Sequence, residues 1–253
     1  MPVRALRTNG QSRSLVSVEA SSAIRVNGYK VLDGVILDLD ASLGITIATG
    51  VQRWADQSGQ GNDLIQNTAG VQPALQTNQV NGLPVVTLDG VDDFFTSITF
   101  ANSKVTANGG AFIFVMKANA LFAAGTHDFL FAAGAADGLQ PALELTNSNM
   151  SLVSGGGLNA GQAMSTTVYG CYTFIHSPDV TRSVIRKNGV VLVSGNDGAS
   201  SGGGTGFTLG SLAGGTRSIG ASIAALKIFS RIPSDAELAW TERVCARRFN
   251  LPF

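Results

Sequence analysis

Residues 54–63 read Trp-Ala-Asp-Gln-Ser-Gly-Gln-Gly-Asn-Asp. Gly59 and Gly61 permit backbone angles that other residues avoid, and Asp, Ser and Asn bond their own backbone in turns. Asp56 is expected to cap the N–H groups of this glycine-rich turn while Trp54 packs beneath it. A second reading makes Trp54 an exposed platform for a ligand. Trp54, Asp56, Ser58, Gly59 and Asn62 are therefore the candidate turn residues.

Strand patterns extend outward from this turn. Val35–Asp40 is an apolar run ending in acids, and Leu83–Leu88 and Ala111–Lys117 are rich in β-branched and aromatic residues. Phe129–Ala132, Ala142–Thr146, Tyr169–His176 and Ser183–Arg186 follow. Asn188-Gly189 suits the positive φ angles of a tight hairpin and predicts Val190–Val193 as the returning strand. Ile219–Phe229 reads as a further apolar strand. The glycine runs at residues 154–157 and 200–204 read as loops. No helical pattern of length precedes residue 233. Ser234-Asp-Ala-Glu237 is a capping box. After it Leu238, Thr241, Cys245 and Phe249 recur at helical spacing, with Trp240 and Val244 widening the apolar face. Arg243, Arg247 and Arg248 suit the C-terminal end of that helix.

The 253 residues carry 17 basic and 17 acidic side chains, 13% charged and 44% hydrophobic, with 31 glycines against 7 prolines. Ordinary soluble domains are about 25% charged. The apolar content excludes a disordered chain. The charge balance argues against nucleic-acid binding, which needs a basic surface. No run approaches the roughly 20 apolar residues of a membrane-spanning helix. Residues 1–30 lack the apolar core of a secretion signal, so the expectation is a protein made in the cytoplasm without standard export. These residues read as a basic N-terminal arm with Arg4, Arg7, Arg13, Arg25 and Lys30 against Glu19, and residues 31–253 as one domain. Residues 31–103 carry eight aspartates against Arg53 alone. The aspartates read either as turn formers or as an acidic body that a basic arm pairs with, within one chain or between neighbours. Cys171 and Cys245 read as small buried hydrophobes, with a single bridge between them left open.

The turn at residues 54–63 resembles the W-x-D-x-S-G-x-G-N turn of bacterial and phage laminin G-like domains, members of the concanavalin A-like group. The likeness continues through Gln72-Pro73, Asn81-Gly82-Leu-Pro84-Val-Val and Leu88-Asp89-Gly90-Val-Asp92-Asp93. It ends on Arg186-Lys-Asn188-Gly189-Val190, Ile223–Phe229 and Pro233–Glu237. Arg186 stands where the group usually has an aromatic residue. The resemblance covers about residues 35–252. It implies an all-β, antiparallel β-sandwich jelly roll closed by a short C-terminal helix.

Glycoside hydrolases share this architecture, and a retaining site needs two carboxylates about 5–5.5 Å apart. Asp38-Leu-Asp40 alone has alternating acids, without the E-x-D-x-x-E of laminarinase-type relatives, and Glu144 stands alone in its strand. His127 and His176 are the only histidines, and no Gly-x-Ser-x-Gly elbow exists. The chain therefore reads as non-enzymatic. Asp56, Asn62, Asp63, Asp89, Asp92 and Asp93 supply the hard oxygens that calcium prefers, without EF-hand spacing. No metal or cofactor is assigned, and calcium is the ion to consider.

The resemblance and the basic arm imply a structural protein of a phage virion, a head decoration or a tail or fibre component. Such a protein would attach through Arg4, Arg7 and Arg13 to other virion proteins or copies of itself, unless those arginines belong to a solvated tail. The alternative is a carbohydrate- or receptor-binding adhesion module that takes a host-surface glycan. No nucleic-acid or membrane partner is expected.

Overall fold

Three segments are apolar over most of their length and buried at almost every position: Gly110–Ala118, Gly170–His176 and Gly220–Phe229. A strand with one wet face alternates, whereas a strand covered on both faces reads as a continuous apolar run. These three therefore belong in the middle of a sheet that is covered on both sides, and the structure places them there as direct neighbours.

The computed structural model describes residues 16–18, 24–26, 29–101, 103–106, 108–119, 127–132, 142–146, 149–154, 156–179, 182–198, 205–212 and 217–253. The chain divides into two compact units, Met1–Gly34 and Val35–Phe253. In the first, β1 (Val16–Val18), β2 (Ile24–Val26) and β3 (Tyr29–Val31) form an antiparallel sheet in sequence order. The sequence reading assigned no strands to this arm. Arg4, Arg7 and Arg13 lie outside the described residues.

The second unit begins with β4 (Val35–Asp40), β5 (Ile45–Ile47), β6 (Val51–Trp54), β7 (Leu64–Ile65), β8 (Ala74–Val80), β9 (Leu83–Asp89) and β10 (Phe95–Ala101). After the one-turn α1 (Ser103–Thr106) come β11 (Gly110–Ala118), β12 (His127–Ala132), β13 (Ala142–Thr146), β14 (Asn149–Val153) and β15 (Gly157–Ala163). The chain closes with β16 (Gly170–His176), β17 (Ser183–Lys187), β18 (Val190–Gly195), β19 (Thr205–Leu209), β20 (Gly220–Phe229) and α2 (Asp235–Phe249).

One sheet has the order β15-β14-β13-β12-β19-β10-β7-β6-β5, the other β18-β17-β16-β11-β20-β9-β8. The long strand β20 pairs with β11 along one edge. Along the other it pairs with β9 over residues 220–223 and with β4 over residues 225–229. The sheets face each other across one hydrophobic core. A column of rings joins them: Phe131 of β12 stacks on Phe112 of β11 at 4.3 Å and lies 5.6 Å from Phe207 of β19. Each such pair adds about 0.5–1.5 kcal/mol beyond the area it buries. The protein is an all-β antiparallel sandwich of jelly-roll type with a C-terminal helix; the strand patterns predict its β content and the laminin G-like resemblance its two-layer form.

The hairpin between β17 and β18 turns on Asn188 (φ 49°) and Gly189 (φ 79°), the left-handed pair that this tight turn requires. In α2 the Ser234 Oγ accepts from the Glu237 N–H, and Glu237 returns a bond to the Ser234 backbone, completing the capping box. The helix buries Leu238, Thr241, Glu242, Cys245, Ala246 and Phe249 against the eight-stranded sheet. Trp240 and Val244 do not widen this face as expected. They are 36% and 39% exposed, because they lie on the side of the helix turned away from the buried stripe that runs through Leu238, Cys245 and Phe249. No described helix is long and apolar enough to cross a membrane.

Candidate functional site

The turn after β6 is built around one carboxylate. Asp56 Oδ1 accepts from the backbone N–H of Asp38 (2.9 Å) and of Ser58 (2.8 Å). Its Oδ2 accepts from Ser58 Oγ (2.7 Å) and from the Asn62 N–H (3.0 Å). Asn62 is buried and donates through Nδ2 to the Ile36 carbonyl (2.7 Å), so the turn is stitched to β4. Gly59 and Gly61 adopt φ of 81° and 73°. Trp54 is fully buried, meets Phe95 edge-on at 6.3 Å, and donates from Nε1 to the Asp40 carbonyl at 3.0 Å. A ring so enclosed has no face for a ligand, which corrects the platform reading of Trp54.

The acidic residues are spent in the same way. Asp38 pairs with Lys227, its cross-strand partner on β20. Asp40 pairs with Arg248 of α2 at 2.7 Å and accepts from Ser42. Asp63 takes Arg53 and the Asp56 N–H. The aspartates of residues 31–103 thus act both as turn formers and as partners of the basic C-terminal region. Asp38 and Asp40, the one alternating acid pair, are each held by a cation. Glu144 and His127 lie in β13 and β12, but their side chains fall outside the described residues.

Of the six calcium-type candidates, the structure groups Asp89, Asp92 and Asp93, with ligand atoms within 4.8 Å of one another. Asp56, Asn62 and Asp63 stay in their own turn. Asp89 Oδ1 accepts from the N–H of Val91, Asp92 and Asp93, and Asp93 Oδ2 from that of Asp89. Burial, followed by the charge of Asp89, pushes the Asp93 carboxyl up to about 6.

Two buried polar groups escaped the sequence reading. His176 Nδ1 lies 2.7 Å from Asp197 Oδ2, and Ser183 Oγ donates to Asp197 Oδ1 at 2.7 Å. The carboxylate sits between imidazole and hydroxyl, so the histidine does not face the serine as a base would. All three are enclosed. The Asp197 carbonyl accepts from the N–H of Ser154 and Gly156, tying the β14–β15 turn to the end of β18. Beneath α2, buried Glu242 accepts from Arg186 Nε (2.9 Å), Arg186 Nη2 (3.0 Å) and Thr173 Oγ1 (2.8 Å). Arg186, the departure from the laminin G-like pattern, is thereby explained: it neutralises the helix carboxylate. Neither set has a local sequence signal, since its hydrogen-bonded partners lie 14 to 69 residues apart.

An open cleft of about 260 Å³ lies at the C-terminal end of α2. Three segments wall it: Gln79–Asn81 at the β8–β9 hairpin, Thr167–Tyr169 before β16, and Phe249–Pro252. Asn81 Nδ2 donates to the Arg248 carbonyl (2.8 Å), fastening hairpin to helix. Asn250 caps α2 in the left-handed conformation, and its N–H bonds the Ala246 carbonyl. Lys117 Nζ stands 5.7 Å from the Tyr169 ring centroid. Burial raises the Tyr169 phenol, which stays protonated. The lining holds side-chain amides, a threonine and two aromatic rings, with no carboxylate, imidazole or thiol. Such a surface can hydrogen-bond and pack against a polar ligand.

No protein-family model matches the chain, and no curated protein matches it. Solved structures do. The chain is similar to the binding domain of Paraclostridial Mosquitocidal Protein 1, at 13% identity and a TM-score of 0.60, over 83% of this chain and 52% of that one. It is similar to the binding domain of Botulinum Neurotoxin DC in complex with SialylT, at 11% identity and 0.60, over 84% and 52%. Trypanosoma rangeli sialidase aligns at 11% identity and 0.56, over 83% of this chain and 33% of the enzyme. The chain spans about a third to a half of the length of these proteins, and at such identities the likeness carries the sandwich fold alone.

Proposed function

We propose that the chain is a non-catalytic glycan-binding module whose site is the cleft at the end of α2. The observation that carries this reading is the cleft's lining. Gln79, Asn81, Asn250 and Thr167 supply donors and acceptors for sugar hydroxyls, and exposed Val168 supplies an apolar contact. A structural neighbour held with a sialylated ligand supports the same class of partner. The sialidase likeness adds no catalysis to this reading, since the cleft has no acid–base pair. A virion role is a second proposal. It rests on the laminin G-like resemblance and on Arg4, Arg7 and Arg13, and the neighbours above lend it no support.

The test is titration of the full-length chain with sialyllactose and with lactose, followed by isothermal calorimetry. The expected result is saturable binding of sialyllactose, weakened about tenfold or more in the double variant Gln79→Ala, Asn250→Gly. Glycine keeps the left-handed cap, so the helix end survives the change. Equal affinity in parent and variant, or no heat from either sugar up to about 10 mM, overturns the proposal.

A further inference from the structure

Cys171 and Cys245 are both free and buried, and the turn, the core and the cleft make no use of their chemistry. The strand and the helix set them face to face. Cys171 and Thr173 are two apart on β16 and share a face. Glu242 and Cys245 are three apart on α2 and share a face as well. The bond from Thr173 Oγ1 to Glu242 Oε1 pins one pair of positions, and the other pair, Cys171 and Cys245, falls opposite. That register brings the two buried thiols together beneath α2. The two segments then run directly into the cleft: Tyr169 lies two residues before Cys171, and Phe249 four residues after Cys245.

We propose that Cys171 and Cys245 form a modification site: a small disulfide such as oxidised glutathione converts the two thiols into a Cys171–Cys245 disulfide that staples α2 to β16 and fixes the separation of the cleft walls. The effect on ligand binding rests on the glycan reading above; the staple itself does not. The chemistry is two exchanges. The Cys245 sulfur, as thiolate, attacks one sulfur of oxidised glutathione, and one glutathione thiolate leaves. The Cys171 thiol then gives up its proton, its sulfur attacks Cys245 Sγ, and the second glutathione thiolate leaves. Two cysteine thiols are oxidised, one glutathione disulfide is reduced to two thiols, and the protons released end on those thiols or the buffer. Cys245 lies on the helix whose end opens, so it is the first nucleophile. Because both sulfurs are covered, attack waits on local opening of the helix end.

The experiment uses the full-length chain, with oxidised and with reduced glutathione in parallel. Expected after oxidation are an intact mass lower by two hydrogens and cysteines that resist iodoacetamide in denaturant until a reductant is added. The melting temperature should rise, and sialyllactose should bind at least about threefold more tightly, because fixed walls lose less freedom on binding. Two alkylated cysteines, or cysteines each carrying glutathione, overturn the staple. A formed staple with equal affinity in both states overturns the coupling to the cleft. A formed staple with no sialyllactose binding in either state overturns the glycan reading and leaves the staple standing.

Discussion

Replacing Asp56 by Ala removes a single carboxylate and strands four donors. Three are the backbone N–H groups of Asp38, Ser58 and Asn62, and the fourth is the Ser58 hydroxyl. A hydrogen bond to a charged acceptor is worth about 1.5–3 kcal/mol net. The Ser58 donors sit in a half-exposed loop and water can replace the carboxylate there. Those of Asp38 and Asn62 join β4 to a buried corner, where water does so poorly. Counting those two fully and the Ser58 donors as rehydrated gives a loss of about 3–6 kcal/mol. At about 2–4 °C per kcal/mol for a unit of this size, the melting temperature falls by about 6–24 °C. The assay is thermal and urea unfolding followed by circular dichroism, with Gln57→Ala, an exposed neighbour, as the control expected within about 0.5 kcal/mol of the parent. An Asp56→Ala protein melting within about 2 °C of the parent refutes the view that this carboxylate organises the corner.

Two further outcomes follow from the buried charges. The Asp93 carboxyl stands at about 6 against an ordinary 3.8, so the folded state holds the extra proton between those values and stability falls as pH rises through that window. The gap corresponds to about 3 kcal/mol, which solvent screening at this partly exposed turn reduces to about 1–2 kcal/mol. Asp93→Asn is accordingly more stable than the parent by that amount in urea at about pH 8 and equal to it below about pH 4; an advantage that does not change with pH contradicts the assignment. Glu242→Ala leaves Arg186 uncompensated beneath α2 and costs about 3–5 kcal/mol. The double change Glu242→Ala with Arg186→Ala recovers part of this in a double-mutant cycle, and strict additivity would mean that the two side chains do not act together.

Much of the sandwich was legible because its signals are local. The largely apolar runs of β11, β16 and β20, the Asn188-Gly189 turn and the Ser234–Glu237 capping box each declare themselves within ten residues. Interior strands β10, β14 and β19 went unread along with polar edge strands. Ala74–Val80 reads ALQTNQV and is exposed at most positions, and Gly157–Ala163 reads GLNAGQA. An edge strand takes its conformation from backbone pairing with a neighbour, so its side chains carry little pattern.

The sequence by itself determined the two-layer β architecture, the Asp56-centred turn and the closing helix, because hydrophobic period, turn chemistry and capping are properties of neighbouring residues. Only the tertiary structure decided which side of α2 is wet, that Arg186 answers Glu242, that Asp197 sits between His176 and Ser183, and that Cys171 meets Cys245. It also decided that Gln79–Asn81, Thr167–Tyr169 and Phe249–Pro252 wall one cleft. These pairings link residues tens to hundreds of positions apart. They are set by how β16, β20 and α2 stack, and no periodicity along a chain encodes the distance between two segments that meet only when the sheet closes.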